Sequence, residues 1–502
     1  MKHSVACVFA AAALVALAQT PCEQLKSQRL PDGAITLAES VAAGPLQMPG
    51  MSPNANAPIV PAHCRVAATL TPSSDSDIKI EVWLPERAAW NGKFQAVGGG
   101  GWVGSLNYGG MAGALQEGYA TSSTDTGHTG GEATFALGHP EKVVDFAYRA
   151  VHEMTVKAKA IMNAYYGRSP QFSYWQGCST GGRQGLMEAQ RYPEDFDGII
   201  AGAPANNQIR LSAWRIAVET TILADPSRIV PPAKLAMLNR AVLAACDALD
   251  GVPDGLLADP RKCNFDPAAL LCRAGDQDDC LTARQVESVK LGYAAARKKS
   301  GELIYPGLVP GGETGWAMLT GKPPEPGVID VGMFRYVAHQ DAKWDWRSFD
   351  LERDTTLAES QAGYLQSANP DLSAFKSRGG KLLIYHGWND GGSGGAISPL
   401  NTLDYYSSVL GKMGSRQDDW LRVFMVPGMA HCGGGPGPNL FNALAALERW
   451  RESGAAPDQI LASRVNNNRV VMTRPLCPFP QVAAYKGTGS SNDAGNFVCK
   501  AP

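Results

Sequence analysis

The sequence predicts an α/β protein, with a largely parallel sheet covered by helices on both faces and interrupted by one long insertion. Three observations point there. Short apolar runs alternate with helical stretches in the first 205 residues and again after residue 374. The stretch between them mixes helices with loops rich in Gly, Pro and Trp and has no strand alternation. A Gly-x-Ser-x-Gly pentapeptide, Gly177-Cys178-Ser179-Thr180-Gly181, stands between an expected strand and an expected helix. That is the setting of the nucleophile turn in the α/β-hydrolase fold, which is the fold expected here, with a large inserted lid domain.

The elements follow in order. Residues 78–84 alternate with period two, 94–97 form a second short apolar strand ended by glycines, and 120–124 a third. Residues 143–166 carry helical spacing without Gly or Pro and predict one long helix. A strand at 171–175, a helix from about 182 to 192 and a buried strand at 198–202 complete the first half. The segment 206–373, with helices expected at 233–248 and 282–299, is assigned to the inserted domain. Strands return at 381–385 and 421–426, with a helix at 441–451 and a loop-rich tail. Residues 19 to about 75, rich in Pro, Ala and Gly, are read as a wrap. The hydrolase core is thus expected in two parts, 19–205 and 374–502.

The first 18 residues read as an export signal: Lys2 and His3, an apolar run over 5–17, then Ala16-Leu17-Ala18 ahead of an expected cleavage before Gln19. The run is short for a bilayer span, and no later stretch reads as one. A secreted or periplasmic protein is expected. The formal net charge of -2 and the lack of any basic stripe argue against nucleic-acid binding. Of 11 cysteines, Cys7 falls in the signal. The even remainder in an exported chain reads as a disulfide framework, with Cys246–Cys263, Cys272–Cys280 and Cys477–Cys499 suggested by spacing.

Ser179 is the candidate nucleophile. In this fold the acid and the base follow it in the order Ser, Asp, His. Among the histidines, His128 precedes the nucleophile and His386 directly ends a strand. His431 lies in the loop Pro427-Gly428-Met429-Ala430-His431-Cys432-Gly433 after the last expected strand, where the base belongs. Asp390 follows strand 381–385 and is placed to hold the imidazole tautomer; Asp371 and Asp404 do not directly follow a strand. Cys178 precedes the serine and Cys432 follows the histidine, so a bridge between them would clamp the base loop to the nucleophile turn. The backbone N–H of Thr180 and one from Gly98-Gly99-Gly100-Gly101, taken as Gly100, are the expected oxyanion donors. A phosphate loop is the rival for those glycines, but the Lys-Ser/Thr ending is missing.

The run 246–256 places Asp247, Asp250 and Asp254 among glycines, with carbonyls of Val252 and Leu256 available. This suits a Ca²⁺ loop, although it lacks the closing Glu of an EF-hand; an Asp/Gly turn without metal is the alternative. Trp316, Phe334, Tyr336, Trp344 and Trp346 stand either as an aromatic pocket or as lid core.

Three runs together resemble the tannase and feruloyl esterase family, which includes the mono(2-hydroxyethyl) terephthalate hydrolases: 177–185, Ser123-Thr124-Asp125-Thr126-Gly127-His128, and 427–432. The resemblance spans nearly the whole mature chain. It implies the bridge Cys178–Cys432 beside Cys22–Cys64, Cys246–Cys263, Cys272–Cys280 and Cys477–Cys499. It also implies a lid with structural Ca²⁺ at Asp247, Asp250, Val252, Asp254 and Leu256. The activity it implies is hydrolysis of aromatic carboxylic esters, feruloyl or hydroxycinnamoyl first, galloyl esters and terephthalate monoesters next, with no organic cofactor. A non-catalytic binding protein on the same scaffold is the alternative from another class.

Overall fold

The structure is a computed structural model, described over residues 20–48, 57–321, 325–391 and 396–501. The expected signal at 1–18 lies outside these residues. Nine strands form the central sheet: β1 (Gly33–Val41), β2 (His63–Leu70), β3 (Ile78–Pro85), β4 (Lys93–Val97), β5 (Ala120–Thr124), β6 (Phe172–Cys178), β7 (Gly198–Gly202), β8 (Lys381–Gly387) and β9 (Leu421–Val426). Their spatial order is β1-β2-β3-β5-β4-β6-β7-β8-β9. From β5 to β9 all neighbours are parallel, whereas β1, β2, β3 and β5 pair antiparallel. This is an α/β-hydrolase fold.

Period-two side-chain direction divides the strands between two helical layers. Trp175, Ile199, Ala201, Leu382 and Ile384 join a core with helices α2 (Ala150–Tyr166), α3 (Thr180–Arg191) and α8 (Pro399–Met413). Their neighbours Tyr174, Ile200 and Leu383 face the other way, against α1 (Tyr108–Gln116) and α9 (Ala443–Ser453). Each fully buried aliphatic side chain in these layers contributes about 1.5–3 kcal/mol.

Residues 206–373 lie between β7 and β8, which are adjacent and parallel. They hold α4 (Gln208–Leu223), α5 (Pro232–Cys246), α6 (Ala283–Tyr293) and α7 (Leu351–Ala362). Their core is not self-contained. Trp102, Val143, Phe146 and Ile397, from outside the segment, belong to the same apolar cluster. Trp316, Phe334, Trp344 and Trp346 are all buried in it, so these four aromatics are core.

The structure departs from the sequence expectations in its first strands and at several helix boundaries, and one stretch that did not read as a span has the composition of one. The wrap expected over 19–75 includes β1 and β2, which extend the sheet, β2 antiparallel to β3 and β1 antiparallel to β2. The alternation of Cys64, Val66, Ala68 and Leu70 with more polar or smaller neighbours along β2 is the sequence signal for it. The helix expected to reach 299 stops at Tyr293, because the Leu308 N–H takes the Gly292 carbonyl (2.9 Å) and Gly307 packs on the Tyr293 carbonyl. The chain then forms the hairpin Ala296–Arg297 with Leu303–Tyr305. The long helix expected from 143 begins at Pro140 and carries a π-helical turn, Asp145–Arg149. Finally, Pro226–Asp250 is long and apolar enough to cross a membrane by composition. In the fold it is two short 3₁₀ turns flanking α5, with Leu235, Leu238 and Val242 in the apolar core.

All five expected disulfides are present, including Cys22–Cys64, whose partners are 42 residues apart and tie the first turn to β2. Loop closure of that length is worth about 3–4 kcal/mol. A Cys22→Ala/Cys64→Ala variant should lose that much in urea unfolding while keeping its circular dichroism spectrum.

Candidate active site

Ser179 sits at the end of β6 with φ 63° and ψ −120°, a backbone conformation sparsely populated outside glycine and worth about 1–3 kcal/mol of strain. The turn is held from several sides. The Ser179 N–H donates to the Gly202 carbonyl (2.9 Å), and its carbonyl accepts from Arg183 and Ala205 (3.0 and 3.1 Å). It closes only because Gly177 lacks a side chain: a Cβ there would lie 2.5 Å from the Gly181 backbone. Helix α3 starts immediately, at Thr180, two residues earlier than its sequence suggests, so its free N–H groups converge beside the serine.

The base loop and the acid loop are joined to each other. Trp388 N–H donates to the Val426 carbonyl (2.9 Å) and Asn389 N–H to the Met429 carbonyl (3.0 Å). The result is a His431 Nδ1 to Asp390 Oδ2 hydrogen bond of 2.7 Å, with the Asp390 side chain fully buried and His431 12% exposed. Nδ1 is thereby occupied, and Nε2 is the nitrogen left to exchange a proton. The Cys178–Cys432 bridge then holds the His431 loop on the Ser179 turn, its Cα atoms 5.9 Å apart. Cys432, like Ser179, has positive φ (61°).

Asp390 has a second imidazole that its position at a strand end did not reveal. His386, fully buried, directs Nε2 at Asp390 Oδ2 (3.1 Å) and at the Ile397 carbonyl (3.1 Å), while its Nδ1 meets Thr402 Oγ1 (2.7 Å). The Ile397 N–H donates to the other carboxylate oxygen (3.2 Å). Burial alone would raise the Asp390 carboxyl, but the His431 charge and the hydrogen bonds from both histidines outweigh it and hold the pKa at about 2. The spacing His386 to Asp390 was the available signal; strand pleating and the following turn bring the two together.

The glycine loop packs directly on the nucleophile helix. A Cβ on Gly98 would lie 2.7 Å from Gly181 Cα, and Thr180 Oγ1 donates to the Gly101 carbonyl (3.0 Å). The Gly100 N–H has no acceptor among the described residues. A cleft of about 890 Å³ reaches Gly99, Gly100 and Cys178 from the side of α1 and α9; Ser179, Asp390 and His431 do not line it.

In the acidic loop, backbone N–H groups of Gly255, Val252, Ala258 and Leu256 donate to Asp247, Asp250 and Asp254, and Asp254 pairs with Arg474 at 2.7 Å. Asp247 Oδ1 is buried without a partner. Burial raises the Asp247 and Asp250 carboxyls, and the neighbouring carboxylates add to the rise. This is a hard-oxygen donor set with excess negative charge, which suits Ca²⁺. Among the described residues, His152, Glu188 and Asp195 gather more tightly. There His152 Nδ1 already bonds Asp195 (2.7 Å), and burial with the Asp195 charge pushes the Glu188 carboxyl well above its ordinary value.

A mixed sheet with a strained serine at the end of a central strand and a carboxylate–imidazole pair on the loops of later strands defines an α/β hydrolase. The comparisons narrow this. The family model described as tannase and feruloyl esterase matches residues 64–500. The chain is 35% identical over 461 residues to a probable feruloyl esterase B-1 of Aspergillus oryzae, covering 87% of this chain and 84% of the relative. It is 36% identical over 540 residues to an uncharacterized esterase of Xanthomonas campestris pv. campestris, covering 96% and 92%. The crystal structure of feruloyl esterase B from Aspergillus oryzae matches with TM-score 0.88 at 33% identity over 95% of this chain and 99% of that one. Tannin acyl hydrolase from Aspergillus niger shares the fold, with TM-score 0.76 at 23% identity over 95% and 93%. The chain belongs to the tannase and feruloyl esterase family and is a carboxylic ester hydrolase.

A carboxyl held below its ordinary value stabilises the fold fully above about pH 4 and loses that contribution as the pH falls through about 2. The contribution is roughly 2 kcal/mol. Urea titrations at pH 5 and pH 2 should therefore show Asp390→Asn losing about that much less stability than wild type. Equal losses would remove the two histidine contacts as the cause.

Proposed function

We propose that the protein is an exported serine esterase that hydrolyses esters of aromatic carboxylic acids through an acyl-enzyme, with feruloyl or related hydroxycinnamoyl esters as the first substrate class. The observation that carries this is the 2.7 Å His431–Asp390 bond joined through Cys178–Cys432 to the strained turn at Ser179. Five disulfides support an oxidising compartment. The aromatic acyl preference is supported by the feruloyl esterases among the relatives.

In this reading, His431 Nε2 takes the Ser179 hydroxyl proton as Oγ attacks the ester carbonyl. Backbone N–H groups of Thr180 and Gly100 hold the oxyanion. The alcohol leaves with the proton from His431, and water repeats the sequence to free the acid. Asp390, ionised near neutrality, stabilises the imidazolium without taking its proton. His386 keeps the carboxylate turned toward His431.

Purified protein should hydrolyse methyl ferulate more efficiently than methyl gallate or mono(2-hydroxyethyl) terephthalate. Ser179→Ala should abolish turnover and labelling by a fluorophosphonate probe, and Asp390→Asn should lower kcat by about 10³–10⁴. A preference for either other ester would move the acyl assignment within the same mechanism. Absence of labelling in wild type would indicate a binding protein.

We further propose that Asp247, Asp250 and Asp254, with the carbonyls of Val252 and Leu256, hold a structural Ca²⁺. Its chemistry is charge neutralisation, away from the reacting atoms. Chelation should lower the Tm by roughly 3 °C at a calcium concentration otherwise about 100 times Kd. Asp250→Asn should weaken that response. An unshifted melting curve would remove the ion from the loop.

A further inference from the structure

The run Ser123-Thr124-Asp125-Thr126-Gly127-His128 takes no part in the proposed chemistry, yet it is built with unusual care. Asp125 Oδ1 accepts from the N–H groups of Gly127 (2.8 Å) and Lys79 (2.9 Å), forming a tight turn at the end of β5. The turn has positive φ at Thr126 (59°) and Gly127 (87°). For a β-branched residue that backbone is an outlier, kept only where the surroundings over-determine it. The turn delivers His128, 6% exposed, to the underside of the glycine loop.

There the imidazole is locked. Nε2 lies 2.7 Å from the Trp102 carbonyl, Nδ1 faces the Thr126 hydroxyl at 3.4 Å, and the ring stacks on Phe135 with centroids 3.8 Å apart. A carbonyl accepts only from an N–H, so Nε2 carries a proton. The loop leaves over the ring at Gly104, where a Cβ would lie 2.5 Å from His128 Cδ2.

We propose that His128 is a positioning residue of the esterase site, acting through the peptide unit between Trp102 and Val103 to orient the Gly100 oxyanion donor. This rests on the serine-esterase reading above. The Trp102–Val103 peptide is held at both ends: its carbonyl by His128, and its N–H on the Gly100 carbonyl (2.9 Å). The Gly98–Gly101 stretch has no side chains of its own to fix it and is flexible by nature. It is fixed by borrowed contacts: Gln184 on the Gly99 N–H (3.2 Å), Asn107 on the Gly98 carbonyl (2.9 Å) and Thr180 on the Gly101 carbonyl (3.0 Å). His128 adds one more contact just beyond the stretch, at the Trp102 carbonyl. An error of about 1 Å in a reacting group costs on the order of 100-fold in rate.

The test compares His128→Leu, His128→Gln and Thr126→Val with wild type in kcat and KM on methyl ferulate and in the rate of fluorophosphonate labelling at Ser179. The expected result is a 10- to 100-fold fall in kcat and in labelling rate for His128→Leu, with KM within about threefold. His128→Gln, which keeps a donor, should recover most of the loss. Thr126→Val, which removes the hydroxyl facing Nδ1, should show a smaller fall in the same direction and stands in for His128→Leu if that variant does not fold. A kcat within twofold of wild type in folded His128→Leu, or no recovery in His128→Gln, would overturn the proposal. If His128→Leu does not fold, a wild-type kcat in Thr126→Val would do the same. A wild type that neither labels nor turns over would instead overturn the esterase reading, and this proposal with it.

Discussion

Ser179 and His431 belong to parts of the sheet that do not touch. Ser179 ends β6, and His431 follows β9, three strands away, which at the usual spacing is about 14 Å. The Cys178–Cys432 bridge spans that separation by drawing the loop after β9 back across β8 and β7. The loop bends sharply enough only because Gly435 and Gly437 pack their backbones against Gly428 and Pro427. Asp390 comes from β8, midway along the same path, and its loop is hydrogen-bonded to the base loop as that loop passes. The geometry of the acid–base pair thus follows from where one covalent bond pulls the chain. Both linked loops have left-handed residues at the bond, Ser179 and Cys432, and a covalent tie keeps such backbone in place.

The electrostatics follow from burial. A carboxylate with no solvent exposure would ordinarily take up a proton, and Asp390 avoids it only because two imidazoles and one N–H bond to it. His386 thus adds to the larger effect of His431. Glu188, equally buried but beside another carboxylate, is shifted in the opposite direction.

The inserted segment is joined to this centre rather than hung above it. Asn389, next to Asp390, donates to the Gly311 carbonyl (2.7 Å), which also accepts from Asn239 (3.0 Å). Trp102, next to the glycine loop, donates to the Ile329 carbonyl (2.9 Å). Arg183 on the nucleophile helix reaches the Leu365 carbonyl (3.2 Å) as well as those of Phe146 and Ala147. The Asp390 loop, the end of the glycine loop and the helix after Ser179 thus each have a polar contact to the insertion.

The sequence by itself determined what depends on local chemistry and chain order. Strand positions, the small residues around Ser179 and the flanking cysteines are all properties of short windows or of succession, and the structure forms those strands, that turn and the Cys178–Cys432 bridge. Tertiary structure decided what depends on neighbours distant in the chain. His386 looked like a strand end because its partner is visible only after β8 pleats and turns. β1 and β2 looked like a wrap because their hydrogen-bond partners are other strands, β1 on β2 and β2 on β3. The helix starting at Ala283 ended early because Leu308 captured its carbonyl. The glycine loop is the clearest case: four glycines carry no information about their own conformation, and the contacts that set it come from Asn107, His128, Thr180 and Gln184, residues that meet only in the folded chain.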